Sequence, residues 1–376
     1  GFTTTGATVM TDVETQSMGV LVWRPLTHWV GGMGVLVLTL ALFPKSGEGS
    51  VFLMRAESPG PIKTKLVPKI QDTAKILYKI YIGLTIAQIV CLMLAGMNWF
   101  DAVTHTFTTI STGGFSVKAL SVAAYPSLVI RWIFIIFMFL SGVNFSVLFF
   151  VVQRNFRAFF KSEELRWYTI ITLAAAGLIF ANLVAVGGAL LDFDTFTHAM
   201  FQVVTIATTT GYATTDFALW PTMSQLILFV LMITGACAGS TAGGVKTIRV
   251  VLLTKSLRRE VRRILHPRVV QPIKIDGERV EESTLAGTTV FFYAYILFFV
   301  VGALVVSWDN VSFVEACSAS MTCIGNVGPG LGQLGPMGSF SILSPLSKVV
   351  LSANMLLGRL EILPLLLLLF PSMWKK

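Results

Sequence analysis

The sequence predicts an all-α membrane protein with pseudo-fourfold repeats of helix, half-helix, glycine loop and helix around a central axis. Three observations carry that prediction. The 376-residue chain is 54% hydrophobic and only 12% charged, about half the roughly 25% charged share of a soluble domain. Long stretches hold no charge at all, among them 173–191, 219–245 and 283–308, and about 20 such residues cross a hydrocarbon core. Between the apolar stretches, a polar glycine-containing motif recurs four times.

Seven spans are expected, at 16–43, 70–96, 126–153, 167–191, 219–250, 284–308 and 339–370. Charge orients them. Loop 44–79 holds seven Lys or Arg, loop 154–166 four, 246–279 ten (including "KSLRREVRR") and the tail two, so 23 of the 28 fall on one side. Arg24, Lys118, Arg131, Lys348 and Arg359 are the remainder. Cytoplasmic loops retain positive charge, so the chain is expected to begin outside and end inside. Its opening, "GFTTTGATVM", lacks both an initiating Met and the apolar core of a signal peptide, and reads as starting within a first repeat.

The net charge of +9 reflects this topology and contact with the lipid bilayer, not a nucleic-acid partner. The basic run 258–263 follows a span directly and has no nucleic-acid-binding fold to present it. Four Cys and four His are scattered without metal-ligand spacing. No nucleophile, base and metal set converges, so an enzyme is not expected.

The recurring motif lies on each expected external connection: "GFTTTGATVMTD" (1–12), "TFTTISTGGFS" (106–116), "TIATTTGYATTD" (205–216) and "SMTCIGNVGPG" (320–330). Its key glycines, Gly6, Gly114, Gly211 and Gly325, recur about every hundred residues. In the second loop Gly113 competes with Gly114, and alignment on Gly211 favours Gly114. Short apolar pieces precede three of the loops: "WFDAVTHTFTTI", "FTHAMFQVVTIA" and "SFVEACSASMTC". These are too short to span and read as re-entrant half-helices. The repeats are then 1–45 (loop and second helix only), 46–157, 158–265 with a broken second helix, and 266–376.

Irregular backbone at membrane depth is tolerated only when buried in protein or lining a watery path. Four such loops on one face can meet at an axis, where their carbonyls replace a cation's hydration shell. Glycine allows the backbone conformations and close approach this needs, and threonine hydroxyls add oxygen. The C-terminal dipole ends of the half-helices favour a cation there. The candidate ligand residues are Thr4, Thr5 and Gly6; Ser111, Thr112, Gly113 and Gly114; Thr209, Thr210 and Gly211; and Cys323, Ile324, Gly325 and Asn326. A set of small-residue packing motifs between helices is the plainer alternative.

"GSTAGGVKT" (239–247) imitates a phosphate-binding loop, but Val245 intrudes before Lys246 and an apolar span precedes it where a strand is required. It reads better as a helix break. Gly235, Gly239, Ser240, Thr241, Gly243, Gly244 and Lys246 would form a segment able to obstruct a pore and move aside, or else a small-residue packing surface. Arg359, in "NMLLGRLEILPLLLLLF", is an ionisable residue deep in the last span. It would stand beneath the loops as a barrier to cations, or be buried against a carboxylate or carbonyls. Glu361, at i+2, lies on another helix face.

These stretches resemble the Trk/Ktr/HKT superfamily of potassium transporters, most closely its bacterial TrkH branch, over essentially the whole chain. The resemblance rests on "TTTGAT", "STGGFS", "TTTGYATTDF", "CIGNVGPG", "GACAGSTAGGVKTIR" and "NMLLGRLEILPLL". It implies potassium uptake across the bacterial inner membrane through a channel-like pore, with K+ held at the four filter loops and no other metal. It also implies a homodimer and a cytosolic nucleotide-binding regulatory ring of TrkA type, for which 266–280 is a candidate dock. Within the family, glycine at the first filter goes with potassium, and serine in some plant members with sodium; this chain has Gly6. The resemblance makes 235–246 an intramembrane gating loop. The N-terminal part of the family pattern is absent. A secondary carrier of another cation, sodium or ammonium, is the alternative, but carriers favour inverted repeats and these repeats run in parallel sense.

Overall fold

Three short helices that stop at glycine loops are the most deeply buried elements, and long apolar helices lie outside them. The computed structural model describes residues 1–10, 12–34, 70–267 and 271–368. In chain order the helices begin with α1 (Met18–Gly32), α2 (Ile70–Leu94) and α3 (Trp99–Ile110). Then follow α4 (Leu128–Ser141), α5 (Phe145–Val152), α6 (Phe156–Lys161), α7 (Glu163–Ala185), α8 (Phe193–Ala207), α9 (Thr222–Thr234) and α10 (Thr247–Leu265). A hairpin of β1 (Lys274–Ile275) and β2 (Glu278–Arg279) precedes α11 (Glu282–Ser307), α12 (Phe313–Ile324), α13 (Pro345–Arg359) and α14 (Leu363–Leu368).

α3, α8 and α12 are the expected half-helices, and local chemistry starts each one. The side chains of Asn98, Asp192 and Ser312 accept the N–H groups of Asp101, Thr195 and Glu315. Such caps satisfy amides that a helix start leaves without partners. In α12 the Glu315 carboxylate returns the bond to the Ser312 N–H at 2.8 Å, closing a capping box. An acidic residue in each first turn (Asp101, Asp194, Glu315) suits the positive end of the helix dipole. Threonines of these helices are fully buried, as at Thr106, Thr108, Thr205 and Thr322. The long helix α11, in contrast, exposes Val290, Tyr293, Leu297 and Leu304, the pattern of a surface facing lipid.

α2, α7 and α11 are long and apolar enough to cross a membrane unbroken. Three of the other expected spans are interrupted. The span at 126–153 is two helices, α4 and α5, bent by 105°, because Gly142 ends the first and Asn144 caps the second by accepting the Ser146 N–H. The span at 219–250 is interrupted between α9 and α10, as its glycines predict. The last span halts at Arg359 and resumes at Leu363, with Glu361 and Ile362 at φ of 63° and 48°. Of the span at 16–43, α1 accounts for the described part; the remainder, with Lys45, Arg55, Lys63, Lys65 and Lys69 of the basic loop, lies outside the described residues.

After α10 the hairpin pairs Lys274 with Arg279 and Ile275 with Glu278. Asp276 and Gly277, both at positive φ, form the Asp-Gly turn that such tight hairpins favour. Ile273, Ile275 and Val280 pack with Ile248, Val251 and Leu252 of α10 and with Ala238 of the break.

Candidate functional site

The four glycine loops share one backbone pattern. Where the half-helix is present, its C-cap (Ser111, Thr208, Gly325) is still right-handed. The next residue flips to positive φ: 55° at Thr112, 56° at Thr209 and 55° at Asn326, matched by 52° at Thr4. One residue later the N–H of Gly113, Thr210 and Val327 returns to a carbonyl in the half-helix, at 2.7 Å to Thr108, 2.8 Å to Thr205 and 2.9 Å to Thr322. A glycine at positive φ then completes each loop: Gly6, Gly114, Gly211 and Gly328.

This register selects Gly114 over Gly113 in the second loop and corrects the fourth. Gly325 is the helix cap, in right-handed conformation; the glycine equivalent to Gly6 is Gly328. Cys323 and Ile324 accordingly fall in the last turn of α12 and not in the loop. Asn326 and Val327 occupy the steps held by Thr4 and Thr5.

The loops close on one another. A Cβ placed on Gly6 would collide with the carbonyl oxygen of Gly113, one on Gly114 with that of Thr210, one on Gly211 with that of Val327, and one on Gly328 with that of Thr5. Loop one abuts two, two abuts three, three abuts four and four returns to one. Glycine is required here on two counts, the positive φ and the neighbouring carbonyl. All four glycines line one cavity of about 300 Å³, with Arg24 and Lys118 also on its wall. A second cavity of about 220 Å³ is lined by Thr3, Gly31, Gly243, Lys246 and Arg359.

The segment between α9 and α10 lies against the inner side of this ring. Gly235, Gly239 and Gly244 have φ of 63°, 68° and 73°, and Lys246 has 77°. The Thr241 hydroxyl donates to the carbonyl of Ile110, the end of α3, at 3.0 Å. The Gly243 N–H donates to the Thr209 hydroxyl at 2.7 Å, and a Cβ on Gly243 would strike the carbonyl of Gly325. Arg359 completes the set, donating to the Thr4 hydroxyl at 3.1 Å and the Thr241 carbonyl at 2.7 Å. Its other terminal nitrogen donates to the carbonyls of Gly31 and Gly32, at 2.5 and 2.7 Å, at the end of α1. The segment and Arg359 together touch residues at or beside each of the four glycine loops. The arginine is satisfied by carbonyls and a hydroxyl, as the burial reading expects, and also lines the inner cavity.

A phosphate cradle needs free amides, and several in and beside this segment are engaged, those of Ala242 and Gly243 by the Ser240 and Thr209 hydroxyls. The N–H groups of Cys237, Val245 and Thr247 donate to the carbonyls of Gly142, Ile233 and Ala236, and that of Ala238 to Glu164. The Ser240 hydroxyl donates to the Cys237 carbonyl at 2.6 Å, and the Lys246 ammonium to the Ala242 carbonyl.

Three groups escaped the sequence reading. Glu164, in the first turn of α7, accepts the N–H groups of Ala238 (2.6 Å), within the break, and Ile248 (3.2 Å), in the first turn of α10. Arg249, one turn into α10, forms a two-pronged ion pair with Glu361 and stacks 3.9 Å from the Phe291 ring centre. The bend between α4 and α5 is bonded to the break as well, since the Phe145 N–H donates to the Gly239 carbonyl at 3.0 Å. These contacts join residues far apart in sequence, and nothing local announces them.

A bundle of apolar helices that carries a closed ring of glycine loops between two cavities is the architecture of a multi-pass membrane transport protein. A family model for TrkH, described as a cation transport protein, matches residues 1–376. The chain belongs to the TrkH family, whose bacterial members here make it a multi-pass inner-membrane protein. It is 38% identical over 383 residues to the Trk system potassium uptake protein TrkH of Escherichia coli, covering 100% of this chain and 78% of that one. It is 40% identical to TrkH of Vibrio parahaemolyticus, covering 99% and 77%. The crystal structure of the potassium transporter TrkH from Vibrio parahaemolyticus superposes with a TM-score of 0.88 at 37% identity, over 100% of this chain and 77% of that one.

Proposed function

We propose that the protein takes up potassium through the ring, with main-chain oxygens of the four loops as the selective ligands. The closed cycle of glycine–carbonyl contacts is the observation that carries this reading. A cation stripped of water needs several oxygens at fixed distance, and a ring in which each loop braces the next keeps them there. In this reading Thr4, Thr5 and Gly6; Thr112, Gly113 and Gly114; Thr209, Thr210 and Gly211; and Asn326, Val327 and Gly328 line the ion path, a choice supported by their shared backbone pattern. The C-terminal ends of α3, α8 and α12 add negative potential at its inner end. Relatives named as potassium uptake proteins support the choice of ion.

The segment 235–246 with Arg359 is the gate in this reading, because together they engage residues at or beside all four loops on the inner side. A homodimer and a cytosolic nucleotide-binding ring follow from the family resemblance. The hairpin at 274–279 is the candidate dock, since it packs on α10 and Ala238 next to the gate. Deletion of 266–280 should abolish co-purification of that ring; binding that survives the deletion removes the dock.

Flux into liposomes tests the central claim. The protein should admit K+ in preference to Na+, and Gly211→Ser should lower that preference, since its Cβ would meet the Val327 carbonyl. An unchanged K+/Na+ ratio overturns the assignment.

A further inference from the structure

The second loop differs from the others at one step. Between the left-handed residue and the final glycine, the other loops carry Thr5, Thr210 and Val327, all β-branched, whereas the second carries Gly113. Gly113 itself is not at positive φ, and its counterparts show that this backbone accepts a branched side chain. Conformation therefore does not explain the glycine. Space does. The three atoms nearest to a Cβ built on Gly113 are Nδ1, Cγ and Cε1 of a single imidazole, that of His28, all within overlap distance.

His28 is fully buried in α1, and among the described residues neither of its ring nitrogens has a hydrogen-bond partner. Burying a polar ring without partners is costly, so its place here calls for another reason. The ring stacks on Phe115, the residue after Gly114, with centroids 4.0 Å apart and planes 13° apart. It thus presses on the second loop at two points, beneath Gly113 and against Phe115. Elsewhere the loop's own side chain serves as the wedge. Thr5 bonds to the Thr3 hydroxyl and accepts from the Asn326 amide, each at 2.9 Å. Thr210 lies 2.8 Å from the Thr208 hydroxyl, and Val327 belongs to the main apolar core.

We infer that His28 is a positioning and specificity-determining residue that replaces the missing side chain at Gly113 and sets the position of the second filter loop. The paired glycines of "STGGFS" are then a consequence of the imidazole. The inference deepens the filter reading and rests on it. It also gives α1 a part in the filter, because three residues beyond His28 the same helix offers its Gly31 and Gly32 carbonyls to Arg359.

The experiment is a rescue, read as the K+/Na+ flux ratio in liposomes. Gly113→Ala alone should lower the ratio by about tenfold, the discrimination that one misplaced methyl group gives in a tight site. His28→Ala alone should lower it too, by leaving the loop without a wedge. His28→Ala with Gly113→Thr rebuilds the arrangement of the third loop and should recover most of the wild-type ratio. Losses that multiply in the double variant, or a ratio unmoved by either single change, overturn the inference. Should Gly113→Ala fail to give monodisperse protein, the His28→Ala background must restore it, and failure to do so also overturns it. Gly211→Ser, in a loop that His28 does not touch, separates the two readings. If that change lowers the ratio while the His28 and Gly113 pair shows no rescue, the filter stands and the wedge falls. If Gly211→Ser leaves the ratio unchanged, the filter reading itself falls.

Discussion

Arg359 donates a 2.7 Å hydrogen bond to the main-chain carbonyl of Thr241, which ties the cationic group to the glycine-rich segment. A cation held at about 6 Å from the guanidinium would meet a repulsion of roughly 3 kcal/mol at an effective dielectric near 20. Arg359→Ala should therefore raise K+ flux by up to about a hundredfold, at 1.4 kcal/mol per tenfold. Deletion of 238–242 should raise it as well. Because the two share a contact, the combined change should add little to the larger single effect. Flux unchanged by Arg359→Ala in folded protein would assign the arginine to holding α1 and the segment in place and leave the barrier to the segment alone.

The register of the fourth loop is testable by glycine replacement. Gly328 has φ of 112°, and a Cβ there would lie 2.6 Å from the Thr5 carbonyl. Gly325 is a right-handed helix cap whose Cβ would meet the Met232 carbonyl at 2.8 Å, outside the ring. Both replacements should lower thermal stability, by about 1–3 kcal/mol where φ is strained. Only Gly328→Ala should change the K+/Na+ ratio. A ratio altered by Gly325→Ala and not by Gly328→Ala would restore the register read from sequence.

The half-helices and the break between α9 and α10 were legible because their signals are local: a capping residue, a short apolar run, a cluster of glycines. The fourth register was not, since "CIGNVGPG" offers three glycines and the choice depends on where α12 ends. The bend at 142–144 was missed for a related reason. Gly142 and Asn144 are ordinary within an apolar run, and the bend is held by Cys237 and Gly239 of another repeat. Arg359 was visible as an anomaly, but its carbonyl partners on α1 were not, because main-chain acceptors carry no residue signature.

Glu164 ties the break to the start of α10 through one carboxylate oxygen. Removing it leaves two buried amides unpaired, at about 1–3 kcal/mol each. Glu164→Ala should lower thermal stability, speed amide exchange over 237–248 and raise flux, while Glu164→Gln, which retains a neutral acceptor, should fall between. Exchange confined to the start of α7 would show that the carboxylate caps its own helix and does not restrain the gate.

The ion pair between Arg249 and Glu361 ties the first turn of α10 to the break in the last span, and the side chains are 6% and 16% exposed. Such a pair contributes little net stability once desolvation is counted, but removing one partner strands a buried charge at about 3–5 kcal/mol. Arg249→Met and Glu361→Gln should each destabilise the protein strongly. The double variant should be less unstable than the two effects added, with a coupling of about 1–3 kcal/mol. Screening is weak for a buried pair, so the coupling should persist in high salt. Since α10 follows the gate directly and Glu361 stands two residues beyond Arg359, loosening this tie should also free both the segment and Arg359, and the single variants should conduct faster than wild type. Additive stabilities combined with wild-type flux would reduce the pair to a surface-like contact and leave Glu164 and Arg359 as the restraints on the gate.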